Sequence, residues 1–383
     1  MEADWIRGED GFAPLREEWN ALAAAGGDGS VFLRHEWIDA AWRWLGSEGA
    51  QMRILRLRSG GALAGICPLM IVPGNWKGIR HRVMRFIEVP DTQACDLISR
   101  PADRERALRA LLDRLREIKG EWDVLELGKI PPASPTLALL PGLLREAGWA
   151  WAPAPPNPNY WIRLQGTWDE YTARRSRRLR KSNNLIRNQM QRDYKEIAVE
   201  RVPAPGQAPG RVTGAFAESV RISGLSWKKE TGNSLDRPGP NAFFARLTET
   251  AAARGWLAIW LLYLEGKAVA MEYQIHFGGD VHALRADFDP AYEQRGPGTY
   301  LNMEILRSLI GGGGTRYLMG PGSNAYKLRW MDEAEELGGA IVYGPGLRGR
   351  LLGFAALKAA AWLKRLRPKP EAAPAAAPAG EAD

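Results

Sequence analysis

Apolar positions recur along the chain at two spacings. In the first 45 residues Trp19 and Leu22, then Trp37, Ile38, Ala41, Trp42 and Leu45, follow a helical period and predict helices. Strands are predicted next: MRILRL (52–57) and ALAGICPLMIV (62–72) flank the turn Ser59-Gly60-Gly61, and RVMRFIEV (82–89) supplies a third. A helix over 102–119, the strand WDVLELG (122–128) and a helix over about 136–147 follow, and the proline-dense APAPPNPN (152–159) reads as a linker.

The second half repeats this plan. YWIRL (160–164), a basic helix, KEIAVERV and two more helices lead to the strands WLAIWLLYL and KAVAMEYQIHF, joined at Glu265-Gly266. Gly278-Gly279-Asp280 turns into VHALRADF, a helix covers about 298–310, and Gly311–Gly314 precedes a strand at 315–319, GPG, a short helix AYKLRW and the strand AIVYG. Such a duplicated order bears on the fold more than any single motif. Along 268–277 a period of two sets Val269, Met271, Tyr273, Ile275 and Phe277 on one face and Glu272, Gln274 and His276 on the other. A three-residue loop would place His276 opposite His282, whereas a two-residue Gly-Gly loop shifts that register.

With 383 residues and 45% hydrophobic content, the chain can fill two lobes. Its two cysteines, Cys67 and Cys95, form no CxxC, and no histidines stand at ligand spacing, so neither a disulfide scaffold nor a metal site is expected. The N-terminus is acidic and lacks an apolar run, and LAIWLLYL (257–264) is too short to span a bilayer, so a soluble, cytoplasmic protein is expected.

The net charge of +8 and pI near 9.5 permit anionic partners without choosing one. Local charge says more. From Arg174 to Arg192 there are eight arginines and lysines and no acid, around one apolar stripe of Leu179, Ile186 and Met190. This helix reads either as a solvated face or as an attractor of an anionic acceptor such as a nucleotide-sugar, a lipid-linked phosphate or an anionic polymer, with Arg178 and Lys181 as contacts. No zinc-finger, helix-turn-helix or RNA-recognition signature accompanies it, so nucleic acid is not expected. Residues 346–367 predict a second basic helix, with six cations and no acid, that either packs on the protein or lies on an anionic membrane surface; 368–383 reads as a disordered Pro/Ala tail.

DPAYEQRGPGTYLNMEIL sets glycines and a proline at a helix start, where free N–H groups and the dipole favour an anion, although Pro-Gly is also ordinary loop chemistry. Acyl transfer to an amine needs a proton acceptor, donors for the oxyanion and a proton source for the thiolate. Asp289 is the first candidate base, followed by Glu272 and His276, with Asp287 nearby; Tyr326 lies beyond the next turn. Each has a structural alternative: Asp289 as a turn cap, Glu272 and the histidines on a solvated sheet face, Tyr326 as a packed aromatic.

Ser226-Trp227-Lys228, GWLAIWLLYLEGKAVAMEYQ, Asp289 with Tyr292 and Pro297-Gly298, and GPGSNAYKLRW with Tyr326-Lys327 and Trp330 together resemble the CelD-like acyltransferases of polysaccharide biosynthesis, in the GNAT superfamily. The likeness spans about 5–345. It implies an α/β (α+β) fold of two tandem GNAT-like lobes, each a mostly antiparallel mixed sheet flanked by helices, akin to the Fem-type aminoacyltransferases. The implied division is a lobe over 1–151 without a glycine loop, the linker 152–159 and a lobe over 160–345 holding the donor site. Acetyl-CoA or another acyl-CoA would place its pyrophosphate at Arg295, Gly296, Gly298 and Thr299, and Tyr326 would protonate the thiolate. Trp227, Lys228 and Lys327 would meet an anionic or sugar-containing acceptor. Two positions depart from the superfamily pattern: Glu293 stands where Gln or Arg is usual, and Leu318-Met319-Gly320 replaces Asp-Phe-Gly. Two further readings stay open, a Fem-type transferase that uses aminoacyl-tRNA and a non-catalytic subunit of a polysaccharide-synthesis machine.

Overall fold

The structure is a computed structural model that describes residues 1–26, 29–204, 210–230 and 232–366, without the side chains of Trp227 and 359–366. The expected tail over 368–383 lies outside the described residues.

The period-two runs of the first half fold as β1 (Glu2–Ile6), then, after the helices α1 (Glu9–Phe12), α2 (Arg16–Ala25) and α3 (His35–Leu45), as β2 (Gln51–Ser59), β3 (Ala62–Trp76) and β4 (Ile79–Phe86). A two-residue β5 (Ile98–Ser99), α4 (Arg104–Glu117), β6 (Val124–Ile130), α5 (Pro135–Glu146) and β7 (Ala150–Pro153) complete it. The crossover to the second half consists of β8 (Asn157–Arg163), α6 (Trp168–Ala173) and α7 (Arg177–Asp193). The plan then recurs as β9 (Ile197–Val202), α8 (Gly210–Leu225), α9 (Pro238–Ala253), β10 (Leu257–Leu264), β11 (Lys267–Phe277), β12 (Asp280–Phe288), α10 (Pro297–Leu309), β13 (Arg316–Pro321), α11 (Ala325–Trp330) and β14 (Glu333–Tyr343), with α12 (Leu347–Leu366) last.

The strands run β1-β2-β3-β4-β6-β14-β8-β13-β12-β11-β10-β9. Only β4/β6 and β12/β13 are parallel among the described pairs, and they hold equivalent places in the two lobes. β14 joins the lobes: Glu333–Leu337 pairs with β8, while Gly338–Tyr343 pairs with β6 and its last four residues with β7. Most of the expected linker over 152–159 therefore belongs to β7 and β8, whose prolines sit where the ladder tolerates them.

The lobes also share apolar packing. One cluster of buried residues runs from Phe12, Trp19 and Trp37 through Phe243 and Phe244 to Ile275, and its centre is the contact of α3 with α9. Closeness there demands a glycine: a Cβ on Gly239 would lie 2.3 Å from the Trp44 ring. Each fully buried large side chain of this kind contributes about 1.5–3 kcal/mol.

Candidate functional site

The two parallel strands of the second lobe pair only at Asp280/Arg316, Val281/Tyr317 and His282/Leu318, then part. β12 continues to Phe288 with β11 as its only partner, and a bulge opposite Tyr273/Gln274 makes Leu284 the extra residue. Beyond His282 one edge of β12 thus faces a gap. The loop between Gly278 and Gly279 is the two-residue form, so His276 pairs with Val281 and Ile275 with His282.

A first-lobe loop reaches into this gap. Gln93 donates from Nε2 to the Ala283 carbonyl at 2.9 Å and sets its Oε1 3.1 Å from His282 Nδ1. A Cβ on Gly320, across the gap, would come within 3.4 Å of the same Nε2. Beside it the carboxylate of Asp91 meets Arg285 at 2.7 Å through both Nε and a terminal nitrogen, and Asn233 accepts two more bonds from that guanidinium. Lys228 completes this side: its ammonium lies 2.9 Å from Asp287 and donates to the Ala286 carbonyl, while Ser223 donates to the other Asp287 oxygen. In the first lobe the equivalent parting of β4 and β6 is closed by its own loop, with Cys95 N–H bonded to the Lys129 carbonyl.

Glu272, Gln274 and His276 share a face as the alternation requires, but that face is covered by α10 instead of solvent. A hydrogen-bonded chain runs through it. Trp260 donates to Gln274 Oε1 at 3.0 Å, Gln274 donates to Glu272 Oε1 at 2.7 Å, and the Tyr317 hydroxyl donates to the same Glu272 oxygen at 2.6 Å. Burial raises the Glu272 carboxyl above its ordinary range, against those donors and the nearby Lys228. Burial, with the Glu272 charge, also keeps Tyr317 and Tyr326 protonated well past their usual range. His276 Nε2 lies 2.9 Å from Gln274 Oε1, and burial aided by Arg201 lowers its pKa to about 4, so it is neutral at pH 7. The Tyr326 hydroxyl has no hydrogen-bond partner among the described residues, and Tyr326 packs beside Trp330, whose carbonyl accepts from Tyr171.

The remaining expected residues fall around this centre. Asp289 caps the turn Pro290–Arg295 by accepting from Ala291 N–H and pairs with Lys267 at 3.0 Å. Burial opposes its ionisation, yet Lys267 and the cap outweigh it and hold the carboxyl below its usual range. Its contacts are those of the turn cap that the sequence offered as the structural alternative. Arg295 turns from the glycine turn to pair with Asp193 at 2.8 Å. Gly296 is left-handed (φ 63°) and a Cβ there would press on Ile186 at 3.1 Å; one on Gly298 would press on Phe288 at 3.3 Å. These glycines thus serve helix packing, while the first-turn amides of Gly298 and Thr299 precede the first intrahelical acceptor. Lys327 donates to the carbonyls of Gly320, Pro321 and Gly322, and burial lowers its pKa to about 8. Arg178 and Lys181 are exposed and have no ion-pair partner among the described residues. The side chain of Trp227 lies outside the described residues.

Sequence reasoning did not anticipate Asp91, Gln93, Arg285 or Tyr317 at this centre. The only local sign was VPDTQACD, a polar stretch among apolar strands that marks the first-lobe counterpart of the glycine turn.

No curated protein matches the chain significantly. Among solved structures, FemX is 14% identical over 88% of this chain and 97% of its own, with a TM-score of 0.55. A conserved protein of unknown function from Bacteroides thetaiotaomicron VPI-5482 is 15% identical over 89% and 100%, at 0.54. The C-terminal domain of a protein assigned as a lysylphosphatidylglycerol synthetase, from Agrobacterium fabrum, is 12% identical over 91% and 96%, at 0.52. At such identities the likeness is one of fold. Residues 173–328, which hold the parting strands, the glycine turn, Glu272 and Tyr326, match the family described as an acetyltransferase (GNAT) domain, on a two-lobed fold shared with FemX.

Proposed function

We propose that this protein is a cytoplasmic N-acyltransferase that moves an acyl group from an acyl-CoA to the amine of an anionic or sugar-containing acceptor, in polysaccharide or cell-envelope assembly of the CelD-like kind. The observation that carries the reading is the buried Glu272–Tyr317 pair, with Tyr326 beside it, at the place where β12 and β13 part. The residues fit such a donor through backbone groups: the edge of β12 beyond His282, and the amides of Gly298 and Thr299 for its phosphates. Arg295 is engaged elsewhere, and Gln93 must leave the Ala283 carbonyl for the edge to open.

When bound, the donor supplies the activated carbonyl and a thiolate leaving group. Glu272, whose basicity burial raises, takes as its carboxylate the proton that the acceptor nitrogen loses as the C–N bond forms. The Tyr317 hydroxyl, which donates to Glu272 at 2.6 Å, holds that carboxylate in place. Tyr326, kept protonated by burial, supplies the proton to sulfur as the C–S bond breaks. The test is Glu272→Gln and Tyr326→Phe assayed with acetyl-CoA and amine acceptors. Turnover should fall about a hundredfold or more while donor binding by calorimetry persists; unchanged turnover would remove these roles.

A second reading, an aminoacyl-tRNA donor as in the Fem-type transferases, is favoured by one feature. Arg177, Arg178, Arg180 and Lys181 are exposed along the first turns of α7 with no carboxylate in ion-pair distance among the described residues. Binding of aminoacyl-tRNA but not acyl-CoA would select it.

A further inference from the structure

Among the described residues, the large apolar side chains exposed to solvent are scattered singly except on α12. There Leu347 (77% exposed), Leu351 (60%) and Phe354 (62%) form one stripe at helical spacing, continued by Leu357. The opposite face is docked: Leu352 is buried, Gly349 and Gly353 allow close approach to Gly344 and Tyr343, and Ala356, like Trp76, packs against the cluster of Val124, Tyr343 and Leu352. The stripe therefore points away from the protein by construction, and it is not an unfilled core face.

A second element shares the surface. Trp76 belongs to the tip of the β3–β4 hairpin, so its packing against the cluster of Val124, Tyr343 and Leu352, which Ala356 also joins, sets that tip, with exposed Lys77, Ile79 and Arg80, beside α12. Cations frame the apolar groups on both elements: Lys358 lies 4.1 Å from the Phe354 ring centre and Lys77 5.4 Å from that of Trp76. Lys77, Arg80, Arg350 and Lys358 have no carboxylate in ion-pair distance among the described residues. Residues 73–81 and 344–366 contain no acid, and the sequence past the helix adds Arg367 and Lys369 before Glu371.

A protein partner would have to answer four unneutralised cations and an aromatic pair with a matched acidic surface. An anionic lipid interface answers all of them at once, taking up apolar side chains below the headgroups and cations among them. No helix among the described residues is long and apolar enough to cross a membrane. We propose that α12 and the β3–β4 tip together seat the protein on the surface of an anionic bilayer, with Leu347, Leu351 and Phe354 immersed and Lys77, Arg80, Arg350 and Lys358 at headgroup level. This proposal stands independently of the acyl-transfer reading.

The experiment is vesicle flotation of the full chain with phosphatidylcholine alone and with phosphatidylcholine containing phosphatidylglycerol. The wild type should float only with the anionic vesicles, and less at high salt. One variant carries Leu351→Glu with Phe354→Glu, the other Lys77→Glu with Arg350→Glu. All four residues are exposed or charged, so the melting temperature should stay near that of the wild type. Each variant should bind at least tenfold more weakly, since each cation near a membrane strengthens association about fivefold. Absence of wild-type binding to anionic vesicles, binding by either variant as strong as the wild type's, or a wild-type dimer that the apolar variant dissociates without changing flotation would overturn the proposal.

Discussion

Asp91→Ala tests whether the lobes are locked to each other at the gap. Asp91 and Arg285 are 8% and 4% exposed and meet through two contacts of 2.7 Å, and they come from positions far apart in sequence. Removing the carboxylate leaves the guanidinium buried with only Asn233 oxygens as acceptors. Breaking a buried pair from one side costs about 3–5 kcal/mol. With an unfolding entropy of about 2.1 cal/mol/K per residue, 383 residues give roughly 0.8 kcal/mol/K, and the melting temperature should fall by about 4–6 °C. The companion is Asp91→Leu with Arg285→Met, which removes both charges and should cost far less than the single change, because no charge is left stranded. Circular dichroism melts of wild type and the single and double variants decide it. A shift under about 1 °C for Asp91→Ala, or a double variant as unstable as the summed singles, would refute the stranded-charge argument.

Asp289→Asn keeps the cap to Ala291, so turnover should fall far less than the roughly hundredfold of base removal, and a hundredfold loss in a steady-state assay would restore Asp289 as the base. Because its folded pKa is depressed, the ion pair with Lys267 stabilises above the unfolded pKa and that contribution is lost as pH falls; with Lys267 half exposed the effect on urea midpoints should be small. Glu272 has the opposite sign. Its folded pKa is raised, so the native state holds more protons above the unfolded value of about 4.3, and wild-type stability should fall as pH rises through that window. Glu272→Gln should flatten this slope in urea titrations at several pH values. Gly239→Ala should destabilise by about 1–3 kcal/mol through collision with Trp44, and an unchanged melt would show that α3 and α9 pack more loosely than described. Arg178→Glu with Lys181→Glu should weaken binding of an anionic acceptor and remove most of its salt dependence, with stability altered by about half a kcal/mol or less.

Local pattern made much of the fold legible. The alternation in β11 separated Met271, Tyr273 and Ile275, which join the shared core, from Glu272, Gln274 and His276, whereas Val269, expected on the first face, joins the cluster under α10. It could not say that the polar face would be roofed by α10, because a buried polar strand face and a wet one look alike until their donors and acceptors are paired. β1 was missed since EADWI is five residues long and half polar, and the charged start of β14, EAEEL, masks a strand by the same means. The site was read less fully. Glu272 and Tyr326 lie near the parting of β12 and β13, but Gln93 contacts a strand 190 residues away, and no spacing in one sequence records such a meeting.

β14 has a bearing on how the protein is made. Its last six residues are the neighbour of β6, so the first lobe waits for a strand that is synthesised some two hundred residues after the rest of its sheet. During translation β6 presents an open ladder edge, and a nascent chain stopped near residue 151 would expose that edge to other chains. Closure then comes last and for both lobes together, in a single event that begins at β8 and ends at β6 and β7. Truncation before Glu333 would accordingly leave neither lobe with a finished sheet, and truncation between Leu337 and Tyr343 would leave the first lobe open.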